Sequence, residues 1–353
     1  MPLLARSVQT PLHIDVRRGA VADLGQILAD GRISAGGDVA VVVGPGLGER
    51  IADLIKPSLG SADLYTTSGG TLDSALELAA KLRSRSYDAV VGIGGGTTVD
   101  VAKYAATRWA MPMVSVATSL ANDGIASPVA SLINDGIKGS YGVQIPIAVL
   151  VDLDFVENGP ERVNRGGIGD VISNISALAD WELSREVTGE PVDGLAASLA
   201  RAGAEAVLHM PGDMHDDAFV TALAEALISS GLAMAVCGSS RPSSGGCHEI
   251  MHAVDSLFPG TASHGELAGL GALFCTYLRG DEVRFAQMSD CLSRHRLPRV
   301  PADIGLSAEQ FVEAIDFAPR TRPDRYTILE HLAMSPDETR RKLAEYVDAV
   351  AAR

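Results

Sequence analysis

The run D-A-V-V-G-I-G-G-G-T-T-V-D-V-A-K, residues 88–103, constrains the fold more than any other stretch of the chain. Its apolar start, lacking polar alternation, reads as a strand buried on both faces, and its three glycines turn the chain into an amphipathic helix. The same pattern recurs. V-A-V-V-V-G at 39–44 ends in the turn G-P-G-L-G and leads into the helix start E-R-I-A-D-L-I. A-D-L-Y-T-T-S-G-G-T near 62–71 precedes the helix L-D-S-A-L-E-L-A-A-K-L-R-S-R, and M-V-S-V-A-T at 113–118 and A-V-L-V-D-L-D-F at 148–155 read as later strands. Strands alternating with helices imply a mainly parallel sheet covered on both faces.

After about residue 160 the pattern changes to Ala- and Leu-rich segments of helical period, separated by Gly, Pro and Ser turns. The spacing predicts helices over 168–188, 193–208, 216–231, 246–257, 264–278, 283–291, 307–316 and 335–352. The polar V-E-N-G-P-E-R-V-N-R marks the change, so the expected architecture is an α/β nucleotide-binding domain over 1–158 and an all-helical domain over 159–353. A chain of 353 residues is long enough for two such cores.

With 44 acidic against 29 basic residues, the formal charge of −15 repels nucleic acid and anionic membrane, and no basic patch of useful length opposes it. A 46% hydrophobic content excludes global disorder, and only 5% aromatics predict an aliphatic core. R-S-V-Q-T-P-L-H near the start is too polar and short for the apolar part of a secretory signal. No apolar run is read as reaching the roughly 20 residues that span a bilayer, so a cytoplasmic protein is expected. Cys237, Cys247, Cys275 and Cys291 lack any CxxC spacing, which suits buried thiols in a reducing compartment. Cys247 adjoins His248, where it is either a packed side chain or a ligand or nucleophile.

The glycine turn points to a nucleotide. Gly94, Gly95 and Gly96 would let the backbone approach a diphosphate at a helix N-terminus, with Thr97 and Thr98 as hydroxyl donors. The motif is neither GxGxxG nor a P-loop. Asp100 and Lys103 either engage the ligand near the first helical turn or form a solvated surface. A-T-S-L-A-N-D-G-I-A-S-P-V-A-S-L, residues 117–132, falls at the carboxyl edge of a parallel sheet, where ligands gather. Thr118, Ser119 and Ser127 are candidate cofactor contacts there, and Asp123 would orient a substrate hydroxyl; the alternative is local turn capping. Asp152 either joins them or caps a loop.

A second constellation comes late. S-S-R-P-S-S-G-G-C-H-E-I-M-H places His248 and His252 four apart on a helix, S-H-G-E-L-A-G-L-G starts the next with His264, and G-G-I-G-D-V-I-S-N carries Asp170. A catalytic divalent ion commonly takes three protein ligands and keeps one position open. Asp170, His248 and His264 are the assigned ligands, with His252 one turn away as proton relay or orienting group. Imidazole and carboxylate suit Zn, Fe or Ni. Arg241 would hold a phosphate in two-point contact, assisted by Ser243 or Ser244, or lie solvated at the surface.

Taken in order, G-I-G-G-G-T-T-V-D-V-A-K, N-D-G-I-A-S-P, G-G-I-G-D-V-I-S-N, S-R-P-S-S-G-G-C-H-E-I-M-H, H-G-E-L-A-G-L-G and R-P-D-R-Y-T-I-L-E resemble the sn-glycerol-1-phosphate dehydrogenase family. That family lies among the metal-dependent alcohol dehydrogenases and dehydroquinate synthases. The resemblance spans nearly the whole chain and implies a dehydroquinate synthase-like fold. It implies NADH- or NADPH-dependent reduction of dihydroxyacetone phosphate to sn-glycerol 1-phosphate, in a homo-oligomer. It maps Asp170, His248 and His264 onto the metal ligands, His252 onto the second histidine of the helical motif, and Asp123 onto the acidic residue on the substrate side. The G-G-C-H form departs from the G-S-E-H of many archaeal members.

Three alternatives remain. A dehydrogenase for another polyol or phosphorylated ketone would prefer glycerol or a longer diol. A cyclase related to dehydroquinate synthase would resemble A-E-x-x-K where this chain has G-D-V-I-S-N. A noncatalytic nucleotide-binding protein would bind cofactor without metal-dependent turnover. Asp63 or Asp88 are candidates to influence the choice between NAD and NADP.

Overall fold

A computed structural model describes residues 8–56, 59, 62–67 and 69–353; Arg6 and Ser7 of the polar N-terminal segment lie outside the described residues. The chain forms two compact units. The first runs through Leu120, resumes over Gly124–Pro160 and takes in Met234–Gly238; the second comprises Ala121–Asp123, Glu161–Ala233 and Ser239–Arg353.

The first unit contains β1 (His13–Arg17), α1 (Leu24–Leu28), β2 (Asp38–Val43), α2 (Leu47–Ile55), β3 (Asp63–Thr66), α3 (Leu72–Arg83), β4 (Tyr87–Gly94), α4 (Gly96–Thr107) and β5 (Met113–Ala117). A hairpin of β6 (Val129–Asn134) and β7 (Ile137–Gly142) follows, then β8 (Ala148–Asp152) and α5 (Leu153–Glu157). The main sheet is parallel throughout, in the order β1-β8-β5-β4-β2-β3. Strand alternation divides its apolar residues between two layers. Val39, Val41 and Val43 pack on the face holding Leu24 and Ile51. Ala40 and Val42 pack on the face holding Leu78, Leu82 and Ala102. The carboxyl ends of β4 and β5 bring the glycine turn and Thr118 to one edge.

The second unit is helical: α6 (Glu161–Thr188), α7 (Gly194–His209), α8 (Asp217–Cys237, whose last residues belong to the first unit), α9 (Gly246–Leu257), α10 (His264–Leu278), α11 (Glu282–Arg294), α12 (Ala308–Phe317), α13 (Ile328–Leu332) and α14 (Pro336–Ala351). The α/β unit followed by helices matches the expected fold class. α6 begins well before the predicted 168, so E-R-V-N-R is its first turns, with Asn164 buried, and not a polar link. α8 corrects the membrane reading in one respect. By length and composition alone it is apolar enough to cross a bilayer, although most of its apolar window is buried in the fold.

Glycines set the spacing of the helices that matter here. A Cβ on Gly265 would overlap the Gly166 carbonyl, and one on Gly169 would overlap the Gly265 carbonyl, so α6 and α10 meet backbone to backbone. A Cβ on Gly271 would lie 2.6 Å from the Cys247 carbonyl, which fixes α10 equally close to α9. Substitution at any of these positions would force the helices apart.

Candidate metal centre and cofactor turn

Close approach of α6 and α10 places Asp170, next to Gly169, beside His264, next to Gly265. His264 opens α10 through a capping box: the Ser263 hydroxyl accepts from Glu266 N, and the Glu266 carboxylate accepts from Ser263 N at 2.8 Å. His248 lies in the first turn of α9, whose N-cap Gly245 offers no side-chain cap. Asp180 of α6 takes over that role: its Oδ2 accepts from Gly246 N at 2.8 Å, and its Oδ1 accepts from Ile328 N at 2.8 Å and from Arg279. Three helices thus converge on one point.

There, His248 Nε2 is 3.5 Å and His264 Nε2 is 3.2 Å from Asp170 Oδ1, and all three donor atoms lie within 4.8 Å of one another. The edge of a tetrahedron with bonds of about 2.0–2.1 Å is about 3.3–3.4 Å, so both carboxylate–imidazole distances already stand near ligand spacing. Asp170 and His248 are buried, whereas the His264 side chain keeps 24% exposure and marks the open side. Burial raises the Asp170 pKa, but hydrogen bonds from both histidines outweigh it and hold the carboxyl well below the usual carboxylate range. Burial pushes His248 below the ordinary imidazole value. A carboxylate with a neutral imidazole is the protonation state that a metal ion requires.

The surrounding groups fix this cluster. Asp170 Oδ2 accepts from Asp123 N at 2.9 Å, and Asp123 Oδ2 accepts from the Ser230 hydroxyl at 2.9 Å, which in turn is 3.1 Å from Asn174 Nδ2. Asp123 therefore stands beside the centre. Cys247 Sγ lies 3.4 Å from His248 Nδ1. Burial pushes its thiol up to about 12, which suits a packed neighbour of the ligand and not a nucleophile. His252 is outside the three-donor cluster; its Nε2 is 2.9 Å from Arg322 Nη2, so it accepts from the guanidinium and carries its proton on Nδ1.

Arg241 is buried, not solvated. Its Nε, at 2.8 Å, and its Nη2 both donate to Glu190, so the edge expected to grip phosphate in two-point contact is already occupied. Its Nη1 has no partner among the described residues.

Within the first unit, the glycine turn is sterically compelled. A Cβ on Gly94 would lie 2.7 Å from the Thr98 side chain, and one on Gly95 would lie 3.1 Å from Ser119 Oγ. Thr118 N donates to Gly94 O at 3.0 Å, joining Thr118 and Ser119 to the turn. α4 has no side-chain cap at Gly95, so its first-turn amides, with exposed Thr97 beside them, suit an anion such as a diphosphate.

Asp100 and Lys103 fit neither reading offered by the sequence. They form a buried pair at 2.9 Å; Lys103 Nζ donates to Gly124 O at 2.7 Å, and Asp100 Oδ2 accepts from Ser131 N at 3.0 Å. Their work is to fasten the segment that carries Ser127, whose hydroxyl donates to Val129 O. Asp152 accepts from Gly19 N, Val21 N and Asp154 N, the loop-capping alternative. Asp63 and Asp88 lie near the amino ends of β3 and β4, away from the glycine turn, where Tyr87 and Gly37 engage them.

Sequence reasoning gave no role to Ser230, Asp180 or Arg322. Asn174, four residues after Asp170 on α6, reaches the Ser230 hydroxyl from the same helix.

A family model for iron-containing alcohol dehydrogenases matches residues 15–160. The chain is 33% identical over 331 residues to glycerol-1-phosphate dehydrogenase (NAD(P)+) of Methanosarcina mazei, covering 92% of each protein. It is 36% identical over 332 residues to the protein of the same name from Hyperthermus butylicus, covering 91% of this chain and 93% of that one. A crystal structure of a probable glycerol dehydrogenase from Sinorhizobium meliloti 1021 superposes with a TM-score of 0.75 at 21% identity, covering 99% of this chain and all of that one, a likeness of fold. Matched over 91–92% of its length at 33–36% identity to these two proteins, the chain belongs to the glycerol-1-phosphate dehydrogenase family.

Proposed function

We propose that this protein reversibly reduces dihydroxyacetone phosphate to sn-glycerol 1-phosphate with NADH or NADPH and a divalent metal ion. The spacing of one carboxylate and two imidazoles at Asp170, His248 and His264 carries the reading. The names of the relatives support the phosphorylated substrate.

Asp170, His248 and His264 would hold Zn, Fe or Ni, which would supply Lewis-acid polarisation to the C2 carbonyl. A reduced nicotinamide cofactor held at the glycine turn would supply the hydride for C2, and a proton delivered to the oxygen would complete the secondary alcohol, with NAD(P)+ as the other product. His252 holds a proton on Nδ1 because Arg322 donates to Nε2, so it serves as proton relay or as a hydrogen-bond donor that orients substrate. Asp123, braced by Ser230, orients a substrate hydroxyl. Gly94, Gly95, Gly96, Thr97, Thr118 and Ser119 bind the cofactor, with Thr98 buried behind the glycines; Asp100 of α4 supports that site by fastening the segment that carries Ser127. Both reductants stay in this reading, as the NAD(P)+ in the relatives' names supports. The charge of −15 opposes nucleic-acid partners, the polar R-S-V-Q-T-P-L-H stretch supports a cytoplasmic setting, and the family resemblance supports a homo-oligomer.

The test is reduction of dihydroxyacetone phosphate by metal-free protein, then after separate additions of Zn²⁺, Fe²⁺ and Ni²⁺, with each reductant and chiral identification of the product. Metal-restored sn-glycerol 1-phosphate is the expected result. Folded, metal-loaded protein that makes none of it, yet oxidises glycerol or a diol, would transfer the reading to another polyol.

A further inference from the structure

A segment that the assignments above leave almost unused, T-R-P-D-R-Y-T at 321–327, lies along α9, the helix carrying His248 and His252. Thr327 Oγ1 donates to Glu249 Oε2 at 3.0 Å, Arg322 Nη2 to His252 Nε2 at 2.9 Å, and Thr321 Oγ1 is 3.5 Å from Glu249 O. Arg325 reaches the other way, donating from Nη2 to Ser240 Oγ at 2.6 Å and from Nη1 to the Ser244 carbonyl. Arg241 joins them, since its Nη2 is 3.2 Å from Tyr326 O. Three guanidinium groups therefore meet at the α9 end of the metal centre.

Their charges are not equally balanced. Arg241 has Glu190. Arg325 bonds only to a hydroxyl and a carbonyl, and no carboxylate pairs with it among the described residues. An unpaired buried charge is costly, and an anionic ligand offsets that cost. Burial pulls Arg325 down to about 10, with repulsion from Arg322 and Arg241 adding to the shift and attraction from Glu249, which forms no ion pair with it, opposing it. Two polar atoms in the same stretch, Arg241 Nη1 and Ser243 Oγ, are buried without a partner among the described residues, as donors awaiting acceptor oxygens would be.

We propose that Arg322 and Arg325, with Arg241 Nη1 and Ser243 Oγ in support, form the subsite for the phosphate of the substrate whose carbonyl lies at the Asp170–His248–His264 centre. This rests on the function proposed above and moves the main phosphate contact from Arg241, whose forked edge holds Glu190, to the arginines of R-P-D-R. The span agrees: His248 and His252 are one helical turn apart, about 5–6 Å, and the carbonyl carbon of a 2-oxo phosphate is three bonds from phosphorus. In this arrangement Arg322 both binds the anion and sets the tautomer of His252, so an unphosphorylated ketone lacks the counter-charge that the site needs.

The test compares wild type with Arg322→Gln, Arg325→Gln and Arg325→Lys, all metal-loaded. Steady-state reduction of dihydroxyacetone phosphate and of dihydroxyacetone is measured, together with calorimetric binding of inorganic phosphate and of the metal. Losing a charge-assisted contact should raise KM for the phosphorylated ketone about 10- to 100-fold. Metal affinity should stay within a few-fold in every variant, turnover of dihydroxyacetone should stay within a few-fold in Arg325→Gln and Arg325→Lys, and Arg325→Lys should recover part of the loss. Inorganic phosphate should compete with dihydroxyacetone phosphate in the wild type and bind at least tenfold more weakly to both Gln variants. Unchanged KM and phosphate affinity in both Gln variants would overturn the proposal, as would equal losses on the two ketones in Arg325→Gln. If Arg325→Gln does not fold, Arg322→Gln and Arg325→Lys decide by the same readouts. If the wild type does not reduce dihydroxyacetone phosphate, the function proposed above fails separately, and the phosphate calorimetry alone decides the subsite.

Discussion

The two units hold their polar groups by different means. In the sheet unit the candidate contacts are main-chain amides and short hydroxyls at the ends of β4 and β5, and the glycines are there because side chains of Thr98 and Ser119 occupy the space. In the helical unit they are side chains from three helices, brought together by glycine-to-carbonyl contact and by the buried carboxylate of Asp180. The first arrangement is local: its geometry is written within a few residues. The second is collective, so a change distant in sequence can move a ligand.

Asp180 offers the hardest way to break that comparison. Asp180→Ala strands the buried Arg279 charge and uncaps α9, for an expected loss of about 3–5 kcal/mol in urea denaturation. Metal affinity should fall with it, although Asp180 is not in the donor cluster. Gly265→Ala comes next, at about 1–3 kcal/mol, because its methyl group would meet the Gly166 carbonyl. Gly194→Ala, whose added Cβ has open space, is the control and should shift stability by less than about 0.5 kcal/mol. Gly95→Ala sharpens the other side of the comparison. With Ser119 Oγ 3.1 Å from the new Cβ, NADH affinity by fluorescence titration should drop about tenfold at nearly constant melting temperature.

The expected effect that is smallest at neutral pH is a pH slope. His295, stacked on Phe219 at 4.7 Å, is pulled from 6.5 down to about 4, chiefly by burial. The unfolded chain therefore binds more protons between those values, and stability rises with pH across that window. The contribution is complete above about 6.5 and is lost as pH falls towards about 4. His295→Gln should flatten this part of the denaturation profile; an unchanged slope would assign it to other groups.

The same contrast explains what the sequence disclosed. β2, β4, β5 and β8 were legible because strands buried on both faces are uninterrupted apolar runs, and α9 and α10 because caps and glycines bound them. β1 was missed as an edge strand with weak burial. The β6–β7 hairpin was missed although its turn, Asp135-Gly136, has φ of 51° and 77° and a familiar hairpin sequence. Among site residues, Asp170, His248 and His264 could be picked out because two motifs begin helices with histidine nearby. Ser230, Asp180 and Arg322 act across 56 to 107 residues of sequence or cap a distant helix, and spacing cannot show that. Asp100 and Lys103 looked solvated or ligand-facing because the segment that buries them lies in the next strand–helix unit.

The central claim is that Asp170, His248 and His264 together make one metal centre. Calorimetric titration of Zn²⁺ into metal-free wild type and into Asp170→Asn, His248→Ala and His264→Ala tests it most directly. One tight equivalent in the wild type, weakened at least about a hundredfold in each variant with folding retained, is the predicted result. Wild-type affinity persisting in any one of the three variants would contradict it.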